Sequence, residues 1–107
     1  MSERETEILQ AIRQTLANFA DQLRGHRVLL FGSRAAGTAR ERSDFDVGVD
    51  GAEPLPLDTF FAISDRLESL PTLYRIDWLD LRRVSADFRR EALAHQQELY
   101  HGPTAVA

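Results

Sequence analysis

The sequence predicts one α+β domain, with a small mixed sheet and helices packed on one face of it. Apolar residues recur at three- and four-residue steps in three segments, which is the stripe of an amphipathic helix. Short apolar or alternating runs between them have the pattern of strands. A chain of 107 residues suffices for one core but not for two. We expect residues 1–102 to form the domain and residues 103–107 to be a flexible tail.

Composition and charge restrict the class of protein. Hydrophobic residues make up 43% and charged residues 28%, as in a globular chain, and no apolar run approaches the roughly 20 residues of a membrane helix. The net charge of −4 argues against tight non-specific nucleic-acid binding. The N-terminus lacks the pattern of a secretory signal and the chain has no cysteine, so we expect a cytoplasmic protein that does not associate with membranes. All 13 basic residues are arginine, so any cationic contact with phosphate must come from guanidinium groups.

The first helix and strand lead to a glycine–serine turn. Periodic apolar residues predict a helix over residues 5–24, which a glycine ends. The continuous apolar run at residues 28–31 predicts a strand covered on both faces. It leads to Gly32 and Ser33, after which we expect a turn of helix and an exposed loop.

The second strand separates core residues from polar ones. Apolar and polar side chains alternate across residues 44–50, so Asp44 and Asp46 share the face opposite the core. Their Cα atoms are about 6.5 Å apart, close enough for both carboxylates to bind hard cations such as Mg²⁺. A helix is then predicted over residues 58–69, with Asp58 as its N-cap and a proline after its end.

The third strand adds another acid to this face. Alternation across residues 73–79 places Asp77 on the polar side, where a neighbouring strand would supply a third metal ligand. Asp80 falls on the opposite face, and Asp50 lies about 13 Å along the second strand from the aspartate pair. We therefore expect Asp50 and Asp80 to be solvated acids, not ligands. A last helix is predicted over residues 84–100.

The glycine–serine turn and the aspartate pair are each weak signals alone. An Asp-x-Asp strand is usually a solvated face, and Gly-Ser after a strand is usually a plain turn. Backbone N–H groups at the start of a helix bind anions, however, and glycine lets a phosphate approach the main chain closely. The segment lacks the Gly-Lys-Ser/Thr of a Walker-type loop. A turn and an acid pair this close together would bind opposite sides of one triphosphate.

Gly-Ser, ten intervening residues and Asp-x-Asp are the signature of a known family. With Gly32, Ser33, Asp44 and Asp46 at this spacing, and an acidic strand containing Asp77 in the expected place, the chain resembles the minimal nucleotidyltransferases of the polymerase-beta superfamily. The resemblance covers the segment from the first predicted strand to the third. It implies a polymerase-beta-like nucleotidyltransferase palm.

The resemblance also implies the site residues. Asp44, Asp46 and Asp77 would be the catalytic acids and would hold two Mg²⁺ ions, with ATP as the substrate. By position, the residues that would bind the nucleotide are Gly32, Ser33, Arg34, Arg42 and Ser43.

Within the superfamily, the chain resembles the MntA-type antitoxins of HEPN/MNT toxin–antitoxin systems. This implies a protein adenylyltransferase that transfers AMP to a tyrosine hydroxyl of a HEPN ribonuclease toxin, which a neighbouring gene would encode, in a hetero-oligomer. The short chain leaves no residues for an acceptor domain, so we expect a borrowed acceptor site. Two alternatives stay open: a non-catalytic antitoxin or subunit that masks its partner, and a nucleotidyltransferase acting on a small molecule such as an aminoglycoside.

Overall fold

The computed structural model describes residues 3–40 and 42–104, so that residues 105–107 of the predicted tail lie outside the described residues. Helices and strands follow one another along the chain. In order they are α1 (Glu3–Ala17), β1 (His26–Phe31), α2 (Gly32–Ala36), β2 (Phe45–Gly51), α3 (Leu57–Glu68), β3 (Ile76–Asp80), α4 (Ala86–Ala94) and β4 (Gln97–His101). Across these residues, no helix combines the length and the apolar character needed to cross a membrane.

The strands form one mixed sheet in the order β3-β2-β1-β4. Strand β1 is antiparallel to both β2 and β4, whereas β2 and β3 are parallel. The predicted α+β class and the mixed sheet are confirmed. Strand β3, which carries the third predicted acid, lies at an edge of the sheet.

The larger core lies between the sheet and helices α1 and α3. Alternate residues of β1 and β2 point into it, because successive side chains of a strand face opposite sides. The predicted stripe of α1 is buried against them, with Ile12 and Leu16 fully inaccessible. Apolar side chains thus fill the middle of this face.

The opposite face is only partly covered. Leu29 and Phe31 of β1 point to this side and pack with Leu81 and with Ala92 of α4. The expectation of helices on one face therefore holds for α1 and α3, whereas α4 covers the β1 side of the other face. A strand that is apolar on both sides, as β1 is, requires such cover.

The structure corrects three predicted helices. Helix α3 begins at Leu57, so Asp58 lies in its first turn and is not the predicted N-cap. The first helix ends at Ala17 and not at residue 24, and the chain continues through turns in which Leu23 is still buried. The predicted helix over residues 84–100 is wrong in its second half, because α4 ends at Ala94 and β4 follows, paired with β1.

The end of the domain is attached to the start of β1. The Gly102 N–H donates to the His26 carbonyl at 2.9 Å, and the Gly25 N–H donates to the Pro103 carbonyl at 2.8 Å. Pro103, assigned to the tail from the sequence, is thus hydrogen-bonded to the domain.

Candidate active site

The structure brings the three predicted aspartates to one face of the sheet. Asp46 of β2 is in register with Asp77 of β3 on one side and with Phe31 of β1 on the other. Neighbouring strands are about 4.8 Å apart, so the carboxylates of Asp46 and Asp77 are close neighbours. Asp44 immediately precedes β2 and lies two residues from Asp46, on the same side.

The charges around Asp46 are unfavourable for a carboxylate. Burial raises the pKa of Asp46 above its ordinary value, and the negative charges of Asp77 and then Asp44 raise this pKa further. Arg75 forms an ion pair with Asp77 at 3.1 Å, but this arginine is largely exposed. Among the residues that the structure describes, no ion pair joins an arginine to Asp46. The site has an excess of negative charge at its centre.

The phosphate turn lies directly against Asp46. Gly32 has a φ of +70°, in the left-handed region that favours glycine. A Cβ atom at this position would clash with the Asp46 carboxylate. Gly32 is therefore required both for its backbone conformation and for the space it leaves. Ser33, which follows it in α2, is half-buried.

Arg34, a predicted nucleotide contact, already has partners within the protein. Its side chain is buried, and its Nη1 donates to Glu5 Oε2 at 2.8 Å. Its Nη2 donates to the Ser43 carbonyl at 2.6 Å, and its guanidinium lies 4.0 Å from the centre of the Phe45 ring. The Ser43 hydroxyl accepts from the Arg40 N–H at 2.9 Å. Arg34 and Ser43 thus hold the loop that leads into β2 against α1, a role that sequence reasoning missed because its partners are distant along the chain.

Arg42, another predicted nucleotide contact, lies at the edge of a surface cleft. It is exposed and lines a cleft of about 770 Å³ between α1 and the segment before β3, together with Arg4 and Tyr74. A neighbouring cleft of about 360 Å³ runs along the edge strand β3 and includes Asp77. Tyr74 lines both clefts.

The donor set is suited to Mg²⁺ in an open site. Within residues 3–40 and 42–104, no three His, Asp or Glu side chains come together closely enough to hold a metal ion by themselves. Mg²⁺ does not need an enclosing cage, since it is usually bound by one or two carboxylates together with water and substrate phosphates. Carboxylates that repel one another beside a glycine turn fit this pattern.

The expectation that Asp50 and Asp80 are solvated is wrong. Each is only 4% exposed. Arg89 donates to both carboxylate oxygens of Asp50, at 3.2 and 3.0 Å. Asp80 accepts from the Leu55 N–H at 2.8 Å and from the Arg82 N–H at 2.9 Å. Both acids hold the fold together at the end of β2 remote from the aspartate cluster.

Comparison with known proteins agrees with this geometry. The family model described as "Polymerase beta, Nucleotidyltransferase" matches residues 11–103. This range contains the glycine–serine turn and all three aspartates.

Individual relatives point to the same family. The "Probable protein adenylyltransferase MntA" of Haemophilus influenzae is 39% identical over 70 residues, which are 60% of this chain. The chain spans 56% of the length of this relative. A solved structure assigned as a minimal nucleotidyltransferase is 31% identical, with a TM-score of 0.55, over 85% of this chain and 92% of the other.

A solved toxin–antitoxin complex shares the fold. Its description is a tri-AMPylated HEPN toxin of Shewanella oneidensis in complex with an MNT antitoxin; the matching chain is 20% identical, with a TM-score of 0.58, over 87% of this chain and 72% of the other. Together with the family match, which covers most of the chain, these findings confirm the resemblance. The chain belongs to the polymerase beta nucleotidyltransferase family.

Proposed function

We propose that this chain is a Mg²⁺-dependent adenylyltransferase that transfers AMP from ATP to a tyrosine hydroxyl of a HEPN ribonuclease toxin and so acts as its antitoxin. The curated relative is named as a protein adenylyltransferase, and the Shewanella complex holds an AMPylated HEPN toxin with its MNT antitoxin. The partner would be encoded by a neighbouring gene and form a hetero-oligomer with this chain in the cytoplasm.

One observation carries the proposal: Asp46 is partly buried between two other aspartates and against the Gly32 turn. A carboxylate in this setting has a raised pKa and is poorly compensated, and such perturbed groups occur preferentially at functional sites. Divalent cations offset the repulsion between the carboxylates. The substrate would bring the remaining oxygen ligands.

Asp44 and Asp46 would hold both of two Mg²⁺ ions, and Asp77 would ligate one of them. Bound Mg²⁺ supplies positive charge that polarises the α-phosphoryl group and stabilises the departing pyrophosphate. The Gly32–Ser33 turn would bind the phosphates, since glycine permits close approach to the backbone and the Ser33 hydroxyl donates a hydrogen bond.

Asp77 is suited to the acceptor side of the reaction. It lies on the edge strand β3 and its side chain is 35% exposed, which leaves it accessible to a hydroxyl brought by another molecule. Its carboxylate would orient this hydroxyl and take its proton as the oxygen attacks the α-phosphorus and pyrophosphate leaves. Arg75, paired with Asp77 at 3.1 Å, holds the carboxylate in place before the acceptor arrives.

The test combines the chain, the HEPN partner from the neighbouring gene, Mg²⁺ and ATP, and measures the intact mass of the partner. We expect the partner to gain the mass of one or more AMP groups, and fragmentation to place them on tyrosine. Asp46→Asn should slow the transfer by about 100-fold or more, because positive charge is lost where negative charge develops. Asp65→Asn is the matched control, since Asp65 is an exposed acid on α3, and it should transfer AMP normally.

The alternative functions give different results in the same experiment. Inhibition of the toxin by a stable complex without any mass change would identify a binding-only antitoxin. Labelled AMP found only on a small molecule such as an aminoglycoside would identify a different acceptor. Either result would overturn the proposal.

A further inference from the structure

We infer that Phe88, at the start of α4, is the surface on which the base of the bound nucleoside triphosphate stacks. This inference rests on the proposed nucleotide transfer and adds a residue outside the family's Gly-Ser and Asp-x-Asp motif. It starts from an apolar side chain that is exposed beside a strongly polar site.

Phe88 continues a row of side chains across the sheet. Asp77, Asp46 and Phe31 are in register on β3, β2 and β1 and share one face. The ring of Phe88 meets Phe31 edge-on, at 6.0 Å between centroids and 84° between planes. Since paired residues of neighbouring strands are about 5 Å apart, Phe88 lies on the order of 10 Å from Asp46. A nucleotide spans a comparable distance between its phosphates and its base.

The phosphates and the acceptor define which side the base must occupy. Gly32 follows β1 and would bind the phosphates, whereas Asp77 on β3 would receive the acceptor. The nucleoside therefore extends over β1, away from Asp77. Helix α4 covers this side of the face, with Ala92 packed near Leu29 and Phe31.

Phe88 is both exposed and held in place. It is 44% exposed, whereas Phe31 beneath it is 5% exposed. The Ser85 hydroxyl caps α4 by accepting from the Phe88 N–H at 3.1 Å, which fixes the first turn of the helix. An aromatic ring that is ordered before binding loses little conformational entropy when a base stacks on it.

Stacking on phenylalanine supplies affinity without selecting a base. Each base presents a π-face, and the phenyl ring has no hydrogen-bonding group with which to distinguish adenine from guanine. Loss of the ring should therefore weaken ATP and GTP alike. Loss of the ring should not change the affinity for a ligand that has phosphates but no base.

The experiment measures dissociation constants for ATP and for inorganic tripolyphosphate by calorimetry, with Mg²⁺ and without an acceptor. Phe88→Ala and Phe88→Leu should weaken ATP binding by about 5- to 100-fold and leave tripolyphosphate binding unchanged. Leucine retains apolar contact with Phe31 but has no π-face, so its loss of affinity is not due to unfolding. Phe88→Tyr should bind ATP as tightly as the wild type. Phe61→Ala is the matched control, because Phe61 is 57% exposed on α3, on the other face of the sheet.

Each other outcome has a defined meaning. ATP binding by Phe88→Ala at wild-type affinity would overturn the inference and leave the proposed function intact. Equal weakening of ATP and tripolyphosphate binding would show a distorted site and would also overturn the inference. A wild-type chain that does not bind ATP in Mg²⁺ would contradict the proposed function itself.

Discussion

Replacing Asp46 with asparagine should stabilise the metal-free fold at neutral pH, although it should abolish nucleotide transfer. Asparagine has nearly the same shape but no charge. The substitution therefore removes the cost of burying a charge and the repulsion from Asp77 and Asp44, which together raise the pKa of Asp46. Nothing is lost in exchange, as long as no cation is bound.

The size of the effect follows from the strand register. Asp46 and Asp77 are opposite one another on adjacent strands, about 5 Å apart, and the site is partly open to water. Between an effective dielectric constant of 20 and that of water, two unit charges at this distance repel by about 1–3 kcal/mol. Solvent screening favours the lower end, so we expect a gain of about 1 kcal/mol in the free energy of unfolding, or roughly 4 °C in Tm.

The gain should depend on pH with a definite sign. Because the pKa of Asp46 is raised on folding, the penalty is fully present above the folded-state pKa. It fades as the pH falls through that value and is absent below the ordinary value of 3.8. Urea unfolding in EDTA at several pH values between 7 and 4.5 should show the variant's advantage shrinking towards acid. Saturating Mg²⁺ should stabilise the wild type but not the variant.

Asp50→Asn is the matched control, since Asp50 lies four residues further along the same face of β2. Its carboxylate is buried and held by Arg89 at 3.0 Å, with Arg82 and Arg27 at 3.6 and 3.8 Å. Breaking a buried pair costs 3–5 kcal/mol, and the partial exposure of these arginines reduces this to about 2 kcal/mol of destabilisation. If Asp46→Asn lowered stability in EDTA at pH 7, or if both variants changed stability in the same direction, the electrostatic reasoning would be refuted.

Two further predictions concern the turn and the loop around the acids. Gly32→Ala should abolish Mg²⁺-dependent ATP binding in calorimetry, because its Cβ would displace the Asp46 carboxylate. Gly37→Ala is the control, because Gly37 has a similar φ of +78° but open space around it. This variant should lose about 1–2 kcal/mol of unfolding free energy in urea and still bind ATP normally. Normal ATP binding by Gly32→Ala would contradict the reasoning. Arg34→Ala should lower the free energy of unfolding by about 2–3 kcal/mol, and lysine should not restore it, because only the planar guanidinium reaches the Ser43 carbonyl and the acid on α1 together. A variant of Arg34 with normal stability and weakened ATP binding would instead place this side chain on the nucleotide.

The cluster of Asp44, Asp46 and Asp77 could be predicted because it depends on local periodicity. A strand repeats every two residues, so the face of each acid is readable without any knowledge of the tertiary structure. The position of Gly32 after a buried strand is equally local. Parallel pairing of β2 with β3 then brings Asp46 opposite Asp77.

Features that depend on distant partners were not predictable in the same way. Leu99 is the one buried residue among the five of strand β4, so the segment shows no alternation from which a strand could be predicted. Its pairing with β1 joins positions about 70 residues apart in the sequence. Arg34 directly follows the glycine–serine turn, a position that suggests phosphate binding. Its actual acceptors are a carbonyl nine residues ahead and a carboxylate 29 residues behind.

The two acids on one face of β2 show how the fold separates function from stability. Asp46 and Asp50 have the same chemistry and lie on the same face, and alternation alone does not distinguish a ligand from a structural acid. Asp50 forms ion pairs with arginines of β1, of the segment after β3 and of α4, so its charge is compensated without any ligand. Asp46 lies beside two further carboxylates and against the glycine turn, so its charge is compensated only when a cation binds. Repulsion between the aspartates therefore destabilises the metal-free site, and metal binding removes this repulsion. The stability of the site is thus coupled to the same ions that its proposed chemistry requires.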